Sequence, residues 1–224
     1  MPETFQRARS DEQREIRRAA ILSTASAMLR EAPVADLTLN ELARRVGLAK
    51  SNVLRYFESR EAVLLDLLTS ELDQWLKALG DDLGRLGDAG VDRRRMRVVS
   101  ALLDTLKQRP VLCDLLSAQA GVLERNVSAD VAAKYKRAMI SDVEELAGIV
   151  RDRLPELGTV AAHQFAATVL IMSGAVWTHA QPSDAMKTAY AREPELASLA
   201  MDFGQTLSGM LDVFLKGLLS TPRA

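Results

Sequence analysis

Apolar residues recur at three- and four-residue spacing along most of the chain, which is the period of an α-helix with one buried face. The first such segment places Ile21, Leu22, Ala25, Met28 and Leu29 on one side. No segment sustains an alternation of Val, Ile and Thr, so the pattern predicts an all-α fold. The expected helices lie near residues 11–31, 38–45, 49–56, 59–79, 92–108, 110–124, 128–153, 158–180 and 195–219, with residues 182–192 left unassigned.

Composition places this helical chain among globular proteins. Its 224 residues are 48% hydrophobic and 26% charged, enough for one large domain or two small ones with a sizeable core. The amino terminus is charged throughout, and we find no run of about 18 apolar residues. We therefore expect a cytoplasmic protein that does not span a membrane. Cys113 is the only cysteine, which excludes an internal disulfide.

Charge is distributed unevenly along the chain. Residues 1–60 carry a net charge of +3 and the remaining 164 residues a net charge of −4, within a total of −1. A positive amino-terminal part is compatible with nucleic-acid binding. A second basic run, "DRRRMR" at 92–97, opens a predicted helix, and we interpret it as a solvated face paired with Asp81 or Asp82.

Residues 38–57 have the spacing of two short helices joined by a tight turn. Thr38 and Glu41 fit a capping box, and Gly47 suits the end of the helix that Thr38 begins. Val53 and Phe57 are placed to pack inward, as is Tyr56, while the basic and small residues of the second helix face outward. This is the pattern of a helix-turn-helix, although an ordinary pair of core helices would show the same spacing.

The stretch "TLNELARRVGLAKSNVLRYFESREAVLLDLL" at 38–68 resembles the DNA-binding region of the TetR (tetracycline-repressor) family. The preceding "AAILSTASAML" at 19–29 is similar to that family too, so the resemblance covers roughly residues 12–70. It implies a helix-turn-helix DNA-binding domain over 1–60 and a larger helical effector-binding and dimerisation domain over 61–224. The positions it implies at the DNA are Thr38, Lys50, Ser51, Asn52, Leu54, Arg55, Tyr56 and Arg60.

Within those positions the resemblance implies different roles. Thr38 and Tyr56 match phosphate-contacting residues, and Arg60 matches a basic anchor at the start of the next helix. The sequence departs from the family pattern at Leu54, where an aromatic Tyr is usual. A leucine cannot donate a hydrogen bond to a phosphate, but it can contact a thymine methyl group.

The carboxy-terminal part carries a long apolar stripe that includes Phe203, Leu207, Met210 and Phe214. The spacing resembles a coiled-coil seam, and an intramolecular core would produce the same pattern. The family resemblance favours a homodimer whose two-fold symmetry matches a palindromic operator in double-stranded DNA.

The family resemblance also implies a chamber for a small-molecule effector among the central helices. Adaptable or large residues that could line it are Met96, Leu103, Cys113, Tyr135, Met139, Met172 and Trp177. Such residues at helical spacing also make an ordinary core, and the sequence does not identify a ligand.

The leading hypothesis is a ligand-responsive transcriptional repressor, with repression taken from the family's usual mode. An effector-independent DNA-binding regulator is the alternative, and an all-α enzyme or carrier is a remote one. The sequence shows no paired carboxylates at metal spacing, no nucleophile–base arrangement and no phosphate-cradling glycine loop. We therefore predict no enzymatic activity, no metal and no cofactor.

Overall fold

The protein is built from α-helices joined by short turns. The computed structural model describes the backbone of residues 2–84 and 89–220, and the side chains of those ranges from residue 12 onward. No strand occurs in these described ranges, which confirms the predicted all-α fold. The helices are α1 (Pro2–Leu29), α2 (Leu39–Val46), α3 (Lys50–Val53), α4 (Arg60–Leu83), α5 (Val91–Lys107), α6 (Pro110–Ala118), α7 (Ala129–Arg153), α8 (Thr159–His179), α9 (Asp184–Arg192), α10 (Pro194–Ala197) and α11 (Phe203–Ser220).

Several boundaries differ from the sequence expectation. Helix α1 begins at Pro2 rather than near residue 11, and α6 ends at Ala118 rather than near 124. The unassigned stretch 182–192 contains α9, whose first turn is capped by a bond from the Met186 N–H to the Ser183 hydroxyl oxygen at 3.3 Å. The predicted loop at 80–90 is helical through Leu83, and its residues 85–88 lie outside the described ranges.

The last predicted helix is divided into two. Helix α10 is a single turn, and α11 begins only at Phe203. The Asp202 carboxylate accepts the Gln205 N–H at 2.7 Å, so an acidic side chain caps the start of α11. A pattern of apolar spacing is continuous across this break, which is why sequence periodicity alone did not locate it.

The chain forms two compact units, Met1–Ser70 with Ala118–Lys136, and Glu71–Ser117 with Arg137–Ala224. The predicted functional boundary after residue 60 stays a prediction, since these units divide the chain inside α4 and α7. The first unit contains α1, α2 and α3, with α2 packed on both of the others. Its core includes Ile21, Leu42 and Leu64, which have no exposed surface.

The second unit is held together by close contact between its helices. Helix α11 packs on α5 and α8, and the Trp75 indole N–H donates to the Thr105 hydroxyl at 2.9 Å. A Cβ atom at Gly174 would lie 2.7 Å from the Leu116 carbonyl carbon, so glycine permits α8 to approach that backbone.

Helix α8 is long and apolar enough to cross a membrane by length and composition alone, although we expect no membrane span from the sequence. A core helix of a globular protein passes the same test. One side of α8, including Phe165 and Val169, is buried in the second unit.

Candidate nucleic-acid interface

The turn between α2 and α3 is fixed by the caps of α2. The Thr38 hydroxyl oxygen accepts the Glu41 N–H at 3.2 Å, as the capping box predicts. Gly47 ends α2 with φ of 75°, a left-handed conformation that favours glycine. The Leu48 N–H then returns to the Ala43 carbonyl at 2.9 Å. The chain therefore reverses within three residues and starts α3.

The Glu41 carboxylate does not act as the capping box predicts. It accepts hydrogen bonds from Arg44 at 2.8 Å and from Arg45 at 3.0 Å, rather than reaching back to Thr38. These two guanidinium groups lower the pKa of Glu41 to about 2. Arg44 and Arg45 are thus paired with carboxylates on the surface of α2.

Helix α3 is a single turn that presents polar and basic side chains to solvent. Lys50, Ser51, Asn52, Leu54 and Arg55 are all exposed. The opposite side of α3 is anchored because Val53 has no exposed surface and Phe57 is only 4% exposed. The structure therefore leaves the predicted recognition residues exposed along residues 50–56, which we call the recognition segment.

Tyr56 ends this face and is half-buried. Its backbone carbonyl accepts a hydrogen bond from Arg18 at 2.7 Å, and the same guanidinium lies 4.3 Å from the centre of the Phe57 ring. Arg18 also pairs with Asp66 in α4. Sequence reasoning missed Arg18, which joins α1, the end of the recognition segment and α4, because no local spacing links residues so far apart in sequence.

Arg60 is engaged by its own unit. Its side chain is 20% exposed, donates to the Val34 carbonyl and lies 3.4 Å from the Glu61 carboxylate. The guanidinium is therefore engaged within the first unit, where it ties the start of α4 to the turn before α2. Its role as a phosphate anchor stays a prediction.

The predicted interface residues of α11 fall on different sides of the helix. Leu207 has no exposed surface, so its predicted contact with a partner is corrected to a place in the core of the protomer. Phe203 and Phe214 are half-buried, and Phe214 stacks on Phe165 with ring centres 6.4 Å apart. Met210 is 43% exposed and remains available to a partner.

The predicted effector-lining residues are also dispersed. Met96 is 55% exposed, so it lies outside the core of the second unit, and its place in an effector chamber stays a prediction. Tyr135 is buried and belongs to the first unit, whereas the other candidates belong to the second. Cys113 is fully buried, and burial raises the pKa of its thiol to about 12, as expected for an inert core cysteine. Leu103, Met139, Met172 and Trp177 are half-buried.

The capped α2, the glycine turn and the exposed face of α3 define a helix-turn-helix protein of the DNA-binding class. Residues 21–67 match the family model of bacterial regulatory proteins of the tetR family, and residues 69–222 match a tetracyclin repressor-like C-terminal domain. The chain belongs to the TetR family of transcriptional regulators, which confirms the resemblance seen in the sequence.

Individual relatives agree with the family models. The chain is 29% identical to the HTH-type transcriptional regulator EthR of Mycobacterium tuberculosis over 165 residues, which are 70% of this chain and 72% of EthR. Its fold is similar to a regulatory protein of the tetR family from Rhodococcus RHA1, with a TM-score of 0.55, 14% identity, and coverage of 90% and 96% of the two chains. FadR from Bacillus subtilis, in complex with stearoyl-CoA, shares the fold at a TM-score of 0.50 and 12% identity, over 92% of this chain and 99% of FadR.

Proposed function

We propose that the protein is a homodimeric repressor that binds a palindromic operator and is released by a small-molecule effector. The observation that carries the DNA-binding part is the exposed face of α3. Lys50 and Arg55 lie there without an ion pair to any described residue. An exposed cation that no carboxylate neutralises is free to replace the counterions of a phosphate backbone.

The roles at the DNA follow from the placement of each side chain. Helix α3 enters the major groove, where Lys50 and Arg55 donate to base edges or phosphates and Ser51 and Asn52 accept or donate. Leu54 is 41% exposed and presents methyl groups, which suits contact with a thymine methyl rather than a hydrogen bond. The polar edges of this face, at Thr38 and Tyr56, meet phosphates and set the register.

The homodimer part rests on apolar side chains that the second unit leaves exposed. Val160 and Ile171 on α8 are 74% and 70% exposed, and Val213 on α11 is 73% exposed. Val160 and Ile171 are eleven residues apart, close to three helical turns, so they share one face of α8. Because α8 and α11 also pack on each other, both helices can contribute to a self-complementary surface.

The substitution Ile171→Asp tests this surface. We expect a folded monomer by light scattering, because a buried unpaired carboxylate at the interface costs several kcal/mol. Met186→Asp is the matched control, since Met186 is 45% exposed on α9 of the same unit and should leave the dimer intact. An Ile171→Asp variant that stayed dimeric would exclude this face.

The effector part is supported by the matched C-terminal domain over 69–222 and by FadR, a relative in fold that was solved with stearoyl-CoA. Leu103, Cys113, Met139, Met172 and Trp177 stay the proposed lining. A coupling of about 1–3 kcal/mol between effector and DNA would change operator affinity by roughly 5- to 150-fold.

A regulator without an effector is the second candidate, favoured by the packing of Trp177 edge-on against Phe203 at 5.2 Å. Titration of the operator complex with stearoyl-CoA and a series of shorter acyl-CoAs separates the two. Release of the operator together with a raised melting temperature of the protein supports an effector. No change in operator binding or in melting temperature favours the second candidate.

Selection of the purified protein on random duplex DNA tests the DNA-binding proposal. We expect enrichment of a palindrome whose half-sites are one or more helical turns apart, about 10 base pairs each. If a folded protein at low salt enriched no sequence, the proposal would be wrong. The enriched palindrome also supplies the probe for the experiments below.

A further inference from the structure

A surface groove of about 530 Å³ lies beside the recognition segment in the first unit. It is formed by one face of α1 and by the residues that follow α3. Its lining consists of Gln13, Arg14, Ile16, Arg17, Arg55 and Tyr56. Three of these six side chains are arginines, so the groove is strongly basic.

The arginines of this groove are not neutralised by the fold. Arg14, Arg17 and Arg55 are exposed, and none forms an ion pair with a described residue. Arg14 lies 6.0 Å from the centre of the Tyr56 ring, which holds its guanidinium toward the recognition segment. Glu12 and Glu15 belong to the same turns of α1 but do not line the groove.

The α1 side of the groove lies outside the part of the chain that the family's DNA-binding model describes. That model matches residues 21–67, whereas Gln13, Arg14, Ile16 and Arg17 precede it. The amino-terminal turns of α1 that form this side of the groove therefore lie outside the matched segment.

We propose that this groove binds a backbone phosphate of the operator, next to the bases that α3 reads. Arg14 and Arg17 donate from α1 and Arg55 donates from the end of the recognition segment, so one phosphate is held from two elements. Guanidinium groups suit this role because their planar donors match phosphate oxygens. Ile16, which is 62% exposed, lies between the arginines in sequence and can cover the adjoining sugar. The inference rests on the proposed DNA-binding function and extends it beyond the helix-turn-helix.

The double substitution Arg14→Ala with Arg17→Ala tests the groove. Binding to the selected palindrome is measured by fluorescence anisotropy from about 0.05 M to about 0.3 M salt. If each protomer of a dimer holds one phosphate there, the slope of log affinity against log salt becomes shallower by about 1.8, and affinity at about 0.15 M salt falls on the order of 30-fold. The same loss is expected on a scrambled duplex, because a phosphate contact reads no sequence.

Matched variants separate charge from structure. Arg93→Ala with Arg137→Ala removes the same charge from exposed positions of the second unit, and we expect its salt slope to equal that of the wild type. Arg14→Lys with Arg17→Lys keeps the charge, so most of the dependence of log affinity on log salt should remain. If the double alanine variant does not fold, Arg14→Gln with Arg17→Gln replaces it, because glutamine also removes the charge but preserves more of the side-chain volume.

Two different failures are distinguishable. A wild type that binds no duplex at low salt contradicts the proposed function itself. If the wild type binds the palindrome and the folded double variant has the same salt dependence and affinity, only the proposal that the groove binds a phosphate is contradicted. A slope that fell equally in the Arg93 and Arg137 variant would also overturn it, because the effect would then reflect net charge alone.

Discussion

The protein has two basic regions, one in α5 at 92–97 and one around α3 at 50–55. They differ in whether their cations form ion pairs within the folded protein. In α5, Arg94 pairs with Glu156, Arg95 with Asp212 and Arg97 with Asp82 at 2.8 Å. In the first unit, Lys50 and Arg55 have no ion pair among the described residues. Arg97 confirms the expected pairing with Asp82, but Arg94 and Arg95 are largely buried, so the run at 92–97 is not the solvated face that the sequence predicted.

This difference supports the proposed surface for DNA. A cation already held by a carboxylate gains little from a phosphate, since it must first give up that partner. A solvated, unpaired arginine releases condensed counterions from DNA at no such cost. Pairing in the folded protein, rather than the density of basic residues in the sequence, distinguishes the two surfaces.

The largest effect is expected from reversing a charge on the exposed face of α3. Arg55→Glu should weaken binding to the selected palindrome by more than about 100-fold, because it replaces a donor with a charge that phosphates repel. Arg97→Glu is the matched reversal in the second unit, and we expect affinity within about threefold of the wild type. Equal losses of DNA affinity in the two variants would contradict the difference between the two basic regions, since the change in net charge would then explain both losses.

A smaller effect is expected from deleting a paired arginine. Arg94 donates to the Arg153 carbonyl at 2.7 Å and to the Ala89 carbonyl at 2.8 Å besides pairing with Glu156. Arg94→Ala should lower the free energy of unfolding by about 2 kcal/mol, because charged hydrogen bonds of a largely buried group are lost. Urea titration measures this change.

Lys50→Ala is the control for that measurement and should change the unfolding free energy by less than about 0.5 kcal/mol, because the side chain is exposed. A Lys50 variant as destabilised as the Arg94 variant would show that Lys50 has a structural partner.

A pH-dependent effect of similar size concerns Asp142, an acidic group of the second unit that forms no ion pair with a described residue. Asp142 is 4% exposed, and its Oδ2 atom has no hydrogen-bond partner among the described residues. Burial, reinforced by Asp73 and Glu145, raises the pKa of Asp142 from 3.8 to about 7. The folded protein therefore holds a proton between pH 4 and 7 that the unfolded chain releases, so stability falls as pH rises through this window.

Asp142→Asn should remove that dependence. From about pH 5 to about pH 8 we expect titration of Asp142 to lower the unfolding free energy of the wild type by about 2 kcal/mol. The variant should not show this decrease. Urea titrations at the two pH values measure the difference. A variant with the same pH dependence as the wild type would mean that Asp142 is ionised in the folded state.

How much of the candidate site could be predicted depends on the distance between its parts in sequence. The Thr38 cap, the Gly47 turn and the exposed face of α3 follow from residues within one or two helical turns, and the structure has each of them. The roles of Arg18 and Arg60 depend on tertiary contacts with Asp66 and Val34, which no local pattern contains.

The same reason explains the error at α11. An apolar stripe specifies that a helix is covered along one face, and says nothing about which neighbour covers it. Leu207, Leu211 and Leu215 are covered within the protomer, while Val213 is left exposed. Only the packing of α11 on α5 and α8 separates the two sets.

Hydroxyl-radical footprinting of the protein with and without the selected palindrome tests the central claim most directly, with oxidation read residue by residue by mass spectrometry. Ile16, Leu54 and Met96 serve as probes, since they are 62%, 41% and 55% exposed and flank the unpaired and the paired basic surfaces. We predict that DNA protects Ile16, Leu54 and Tyr56 and leaves Met96 unchanged. Protection of Met96 with continued oxidation of Leu54 would contradict the account, because DNA would then bind the paired arginines of α5.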